Sequence, residues 1–244
     1  GEDNTLKLDR DDYYKTDAIA LDKVTFIGPP DENPNAPKYT GIINLGATKN
    51  TGNTDNQSIH LDAKFVARTE TNRLTLTGIY NRAEDEGVRN VDNALGSVDY
   101  DHFVTDQWYA YANALLERDK FQDLKARSIL GVGLGYQFFE NDISNLSFEA
   151  GPSYVNEDFF TADDTDSVAA RWALDYDRWL FTKSAQFFHF HEGIVPFDDT
   201  ADVYIRSRTG VRVPLVDRFS VTAEVDVDYD AKPVLGNDKI DTVY

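Results

Sequence analysis

Between Phe219 and Asp230 the chain alternates without interruption. Phe219, Val221, Ala223, Val225, Val227 and Tyr229 fall on one face of an extended strand, and Ser220, Thr222, Glu224, Asp226, Asp228 and Asp230 fall on the other, because successive strand side chains point to opposite sides. One face is apolar and the other acidic. The pattern recurs from about Tyr39 to the C-terminus. A second strand sets Ile59, Leu61, Ala63, Phe65 and Ala67 against His60, Asp62, Lys64 and Arg68. A third sets Leu74, Leu76, Gly78 and Tyr80 against Thr75, Thr77 and Asn81, and a fourth, near 94–103, sets Val98 and Tyr100 against Ser97, Asp99 and Asp101. The sixth carries Leu130, Val132, Leu134, Tyr136 and Phe138 over Ile129, Gly131, Gly133, Gly135 and Gln137. In the seventh, Leu146, Phe148, Ala150, Pro152 and Tyr154 oppose Ser147, Glu149, Ser153 and Glu157. The eighth opposes Val168, Ala170, Trp172, Leu174 and Tyr176 to Arg171 and Asp175. The tenth opposes Val203, Ile205, Val211 and Val213 to Arg206, Arg208 and Arg212. The fifth (108–118) and ninth (185–195) do not reveal their facing.

A dry core would not tolerate this many charges on one face. The pattern therefore predicts an all-β fold: a closed antiparallel up-and-down transmembrane β-barrel of about 12 strands, with apolar residues toward lipid and polar residues toward the lumen. Backbone groups in hydrocarbon must all be satisfied internally, so the sheet has to close. A soluble barrel is the other reading, and it would bury Val221, Val225 and Val227. Connections after even-numbered strands are tight (TETN, VTDQ, ENDIS, FTKS, PLVDR). Those after the third, fifth, seventh, ninth and eleventh are long and polar, among them 83–92, 157–166 and 230–241. Short turns at one rim and long loops at the other place the barrel in a bacterial outer membrane with its N-terminus in the periplasm. Phe103, Trp108, Tyr109, Phe138, Phe139, Trp179, Phe181 and Phe219 crowd the short-turn rim, where an aromatic girdle is expected. Residues 39–244 form the barrel on this reading. Residues 1–38 form a short periplasmic extension, with β-like pieces near 6–8 and 19–27 and a Pro/Asn-rich linker. A twelfth strand starting at Asp241 is cut short at Tyr244, so further residues or a covering partner are expected to complete it.

Composition narrows the function. A net charge of −19 over 244 residues argues against nucleic acid. Without Cys there is neither a disulfide framework nor a Cys-based metal site. No Met is present, for which a cleaved secretory signal is the expectation. No apolar run reaches transmembrane-helix length.

The segments GATKNTGNTDNQSIHLDAKF, ALLERDKFQDLKARSILGVGLGYQFF and LSFEAGPSYVNED resemble the YdiY-like salt-induced outer-membrane proteins, a family of unknown function. The Gly52-Asn53-Thr54 turn and the Asp119-Lys120-Phe121 loop before the Gly-rich strand are its most specific parts. The likeness spans about residues 39–244. It implies an outer-membrane barrel and carries over no catalytic or ligand residue.

Candidate chemistry lies inside the barrel. Arg206, Arg208, Arg212, Glu224, Asp226, Asp228, Glu149, Arg171 and Asp175 all face the lumen as pore-lining candidates. A hairpin centred near Val216 would set Arg208 opposite Glu224 and Arg206 opposite Asp226. These charges line a narrow channel that selects ions, or they plug the lumen as a salt-bridge network. His189 and His191 share a strand face but lack a third ligand, and Ser184 lacks a GxSxG context. No metal, cofactor or enzyme activity is therefore expected. Acidic clusters at 84–86, 163–166 and 198–199 read as solvated loops. The inward glycines of the sixth strand make room for a ligand or ease curvature. Outer-membrane lipid and lipopolysaccharide are the expected surroundings. A homo-oligomer or protein partner is compatible with a non-conducting alternative, a structural barrel that anchors something through its loops.

Overall fold

The computed structural model describes residues 36–52, 55–216 and 219–243, together with four short N-terminal segments. Those segments are β1 (Thr5–Leu6), β2 (Asp9–Asp11), β3 (Tyr14–Lys15) and β4 (Ile19–Ala20). β1 pairs antiparallel with β4, and β2 with β3. They belong to a unit spanning Gly1–Ala36, separate from Pro37–Tyr244. The sequence-predicted strand piece beyond Ala20 and nearly all of the Pro/Asn-rich linker lie outside the described residues.

The second unit is one 12-stranded antiparallel sheet in sequence order. Its strands are β5 (Lys38–Asn50), β6 (Asn56–Arg68), β7 (Asn72–Asp85), β8 (Val88–Phe103), β9 (Trp108–Asp119) and β10 (Leu124–Glu140). They continue as β11 (Ser144–Phe159), β12 (Thr165–Leu180), β13 (Ala185–Pro196), β14 (Tyr204–Val216), β15 (Phe219–Asp230) and β16 (Ile240–Val243). The sheet curls until distant strands meet through side chains. Lys64 on β6 reaches Asp175 on β12 at 2.9 Å, and Arg208's neighbour Arg206 on β14 reaches Glu117 on β9. Thr222 on β15 donates to Asn44 on β5 at 3.3 Å. Among the described residues no backbone ladder joins β16 to β5, so ladder closure is not part of the observed topology.

The surface is inverted relative to a water-soluble protein. Ile43 is 75 % exposed and Leu134 61 %, whereas Arg171 is 4 % and Glu192 3 % exposed. The soluble reading required a buried Val221, which is 57 % exposed.

Several expectations change. The connection at 83–92 is a two-residue turn at 86–87, where Glu86 and Gly87 both have positive φ (50° and 78°). That is the geometry a type I′ hairpin requires, so β7 and β8 run on through the stretch read as loop, and Glu84 and Asp85 are strand residues. The asymmetry between rims is correspondingly smaller. The longest connections, 197–203 and 231–239, still lie on the rim expected for long loops. In the tenth-to-eleventh hairpin Arg206 pairs with Asp228 and Arg208 with Asp226, while Glu224 faces Gly210. β14 extends to Val216, β15 resumes at Phe219, and a register shift lies between Pro214 and Val216; together these move the hairpin's centre by one residue, which shifts every partner by two. Val203 precedes β14. Phe103 and Tyr109 do not belong to a girdle. They are buried inside (5 % and 1 % exposed), with the Arg68 guanidinium 3.9 Å from the Phe103 ring centroid. Trp108, Phe138, Phe139, Phe181 and Phe219 are exposed at that rim, as expected.

Candidate functional site

The interior has two unlike walls. One, formed by β8–β14, is packed. On it Arg171 is held between two carboxylates, with Nε donating to Glu192 Oε1 at 2.7 Å and Nη1 to Glu149 Oε2 at 3.1 Å. Nearer the loop rim, Arg127 donates to Glu157 Oε1 at 2.7 Å and to Glu117 Oε2 at 3.4 Å. Arg206 shares Glu117 and also donates to Asp228 at 3.3 Å. The Tyr204 ring lies against both guanidiniums, at 4.3 Å and 5.4 Å. Nearer the turn rim, Arg73 donates to Asp101 at 2.6 Å and to Gln137 at 2.8 Å. Leu115, Ile129, Val155, Ala169 and Ile194 add an aliphatic cluster to this wall.

The glycines of β10 belong to this packing. Gly131, Gly133 and Gly135 sit directly across from Asn113, Tyr111 and Tyr109 of β9. A Cβ at each would collide with that partner's side chain. The glycines make room, and the neighbouring strand fills it, which is the cross-strand aromatic cover of glycine seen in curved sheets.

The other part of the interior is open. A cavity of about 620 Å³ is lined from Glu140 and Asn141 at the turn rim to Asp119, Gln122 and Asp241 at the loop rim. Its lining holds fourteen Asp and Glu residues against six Lys and Arg. Lys64 and Asp175, bonded at 2.9 Å, keep side-chain exposures of 45 % and 34 %. All nine sequence-derived lumen candidates line this cavity. Arg208 grips Asp226 with two bonds of 2.9 Å. Arg212 donates to Gln186 at 3.1 Å and lies over the Phe188 ring. Glu224 instead meets His60, whose Nε2 is 3.3 Å from Glu224 Oε1 and 3.1 Å from Asp62 Oδ1. Sequence reasoning had put His60 and Asp62 on the inner face without marking them. Their spacing of two on an inward face was the available signal, but Glu224 joins them only through the curling of the sheet.

The other sequence candidates do not assemble. His189 and His191 are on the outer face, where His189 bonds Thr209 and the His191 ring lies beside Trp172. Ser184 donates to the Phe181 carbonyl within its own turn. At the loop rim, carboxylates hold loops together. Asp123 accepts from Thr161 Oγ1 at 2.7 Å and from the amides of Thr161 and Ala162. These bonds, the hydroxyl's first, hold its carboxyl below the usual range. The Lys232 ammonium lowers Asp199 in the same way and is itself raised by that bond.

The family described as "Protein of unknown function, DUF481" matches residues 43–244. The chain belongs to this family. It is similar to the uncharacterized protein YdiY of Escherichia coli (strain K12), with 22 % identity over 195 residues that cover 80 % of this chain and 75 % of that protein. No solved structure matches. The chain is thus a YdiY-like member of a family without an established activity, as the motifs around Gly52 and Asp119 had indicated.

Proposed function

We propose that this protein is a narrow, cation-preferring channel across a bacterial outer membrane, with its N-terminus on the periplasmic side. The observation that carries the reading is the rim-to-rim cavity with fourteen acidic and six basic lining residues. Rings of carboxylates attract cations and exclude anions at close quarters. The exposed apolar exterior supports a lipid setting, because charged lumen and apolar outside is the arrangement of outer-membrane barrels. Lipid and lipopolysaccharide are then its surroundings, and no catalytic step is assigned to it. The test is single-channel recording of the refolded full chain in a planar bilayer under a KCl gradient. Discrete steps with a reversal potential on the potassium side are expected. Anion preference, or an inserted barrel that never conducts, would overturn the reading. The packed wall favours one alternative, a non-conducting barrel that anchors a partner or a second copy, and co-purification of a stable assembly with a silent barrel would support it.

A further inference from the structure

We propose that His60, Asp62 and Glu224 form a binding site for a first-row divalent transition cation, zinc being the best match to the donors. One nitrogen and two carboxylate oxygens converge there, all within 4.8 Å of one another. The separations from Nε2, 3.1 Å and 3.3 Å, resemble the spacing of about 3.3–3.5 Å between neighbouring donors on a tetrahedral zinc with bonds of about 2.0–2.2 Å.

A second observation comes from outside the three residues. Asp119 accepts the amides of Phe121 and Gln122, and an ionised carboxylate can only accept. Asn93 therefore turns its Nδ2 toward Asp119, at 3.3 Å, which leaves its Oδ1 to accept from Asn81 Nδ2 at 2.9 Å. Asn81 Oδ1 is then left facing His60 Nδ1. An oxygen acceptor there places the ring proton on Nδ1. Nε2 is thus the ring nitrogen that faces the two carboxylates and is the one available to a metal ion. Two carboxylates facing one ring nitrogen call for positive charge between them, which a second ring proton on Nε2 supplies in the empty site and a metal ion supplies on displacing that proton. A single added proton can align with one oxygen, whereas a metal ion satisfies all three donors. Zinc-bound histidines commonly have their other nitrogen oriented in this way. Asp62 is oriented too, by Asn44 Nδ2 at 3.0 Å from each of its oxygens. The side-chain hydrogen bonds of the nearby guanidiniums go elsewhere, from Arg208 to Asp226 and from Arg212 to Gln186. The remaining coordination positions open to the cavity, which Asp62 and Glu224 line. His60 and Asp62 lie on β6 and Glu224 on β15, so a bound ion would cross-link strands that share no ladder.

The experiment uses the metal-stripped full chain, refolded in detergent, so a silent channel leaves the result unaffected. Zinc is titrated calorimetrically, and Co²⁺ is followed by visible absorption. One zinc per chain is expected, with a Co²⁺ band that zinc abolishes. His60→Gln and Glu224→Gln should each weaken zinc binding at least tenfold. Zinc should also shift the resonances of one of the four histidines in ¹⁵N-histidine-labelled wild type, a readout that does not depend on any variant folding. Absence of zinc binding, unperturbed histidine signals, or full binding retained by a folded His60→Gln variant would overturn the proposal. The last result would assign the ion to the acidic loops.

Discussion

Replacing Arg171 by Met tests whether the β8–β14 wall is dry. The methionine keeps much of the side-chain volume but strands two carboxylates. Arg171 and Glu192 have side-chain exposures of 3 % and 4 %, and Glu149 17 %. Removing one partner of a buried ion pair costs about 3–5 kcal/mol, because the remaining charge has lost both water and counterion. Lys64→Met provides the comparison. Its pair with Asp175 is 45 % and 34 % exposed, and exposed pairs contribute only about 0–1 kcal/mol. The two substitutions remove the same kind of contact from the same lumen, so a large difference isolates solvation.

The assay is urea unfolding of protein reconstituted in lipid vesicles, followed by tryptophan fluorescence. Arg171→Met should lower the unfolding free energy by about 3–5 kcal/mol and Lys64→Met by under about 1 kcal/mol. Adding Glu192→Gln to Arg171→Met should recover part of the loss, with a coupling of about 0.5–3 kcal/mol. Equal, small losses for both single variants would mean that water reaches Arg171, and the division into a packed wall and a wet path would be refuted.

On the outer face of β10, Leu134→Arg should cost about 2–4 kcal/mol in vesicles if the residue lies near the bilayer midplane. Gly135→Ala, one residue along but inward against Tyr109, should cost about 1–3 kcal/mol through overpacking, read by the same urea titration. The clasp of Asp123 on Thr161 and Ala162 depends on its ionised carboxylate. Since its value is depressed in the fold, its contribution is present above the unfolded value of about 3.9 and is lost as pH falls below it. Hydrogen exchange should show the Thr161 and Ala162 amides protected at neutral pH relative to Asp123→Ala, with the difference shrinking progressively as pH falls below about 3.9. Phe181, Thr182 and Lys183 all have positive φ, an unfavourable conformation for a β-branched residue. Thr182→Asn should therefore raise stability by up to about 1 kcal/mol, and a loss of stability would contradict that turn geometry.

Alternation made the fold readable because an exposed apolar face and a charged interior impose opposite demands on successive residues. It failed on β9 and β13 for one physical reason. On β9 the inner residues are Tyr109, Tyr111 and Leu115, and the outer ones include Ala110, Ala112 and Ala114. On β13 Phe188 and Phe190 share the inner face of buried Glu192 and Ile194, while His189 and His191 alternate to the other face. Where the lumen is packed with aromatic and aliphatic groups, the inner face is as apolar as the outer one, and the pattern loses its sign. The same packing explains why Phe103 and Tyr109 read as girdle residues. The lumen charges were correctly assigned to a face, but their partners were not. Alternation specifies facing, whereas pairing depends on where the hairpin turns and on bulges, and the register shift between Pro214 and Val216, with β15 resuming at Phe219, set each arginine's partner two residues along.

The seam between β15 and β5 depends least on local pattern. β16 pairs only with the Asp226–Tyr229 part of β15. Along the stretch from Phe219 to Val225 the described contacts toward β5 and β6 come from side chains, Thr222 to Asn44 and Glu224 to His60. From β5 through β15 each junction between neighbouring strands is an antiparallel ladder running most of a strand. Backbone groups left unpaired in hydrocarbon are costly, so this seam is where an outer-membrane setting makes its strongest demand on the molecule. One of the side-chain contacts there, Glu224 with His60, belongs to the proposed cation site. Charge at this point therefore bears both on the proposed ion site and on the contact between β15 and β6.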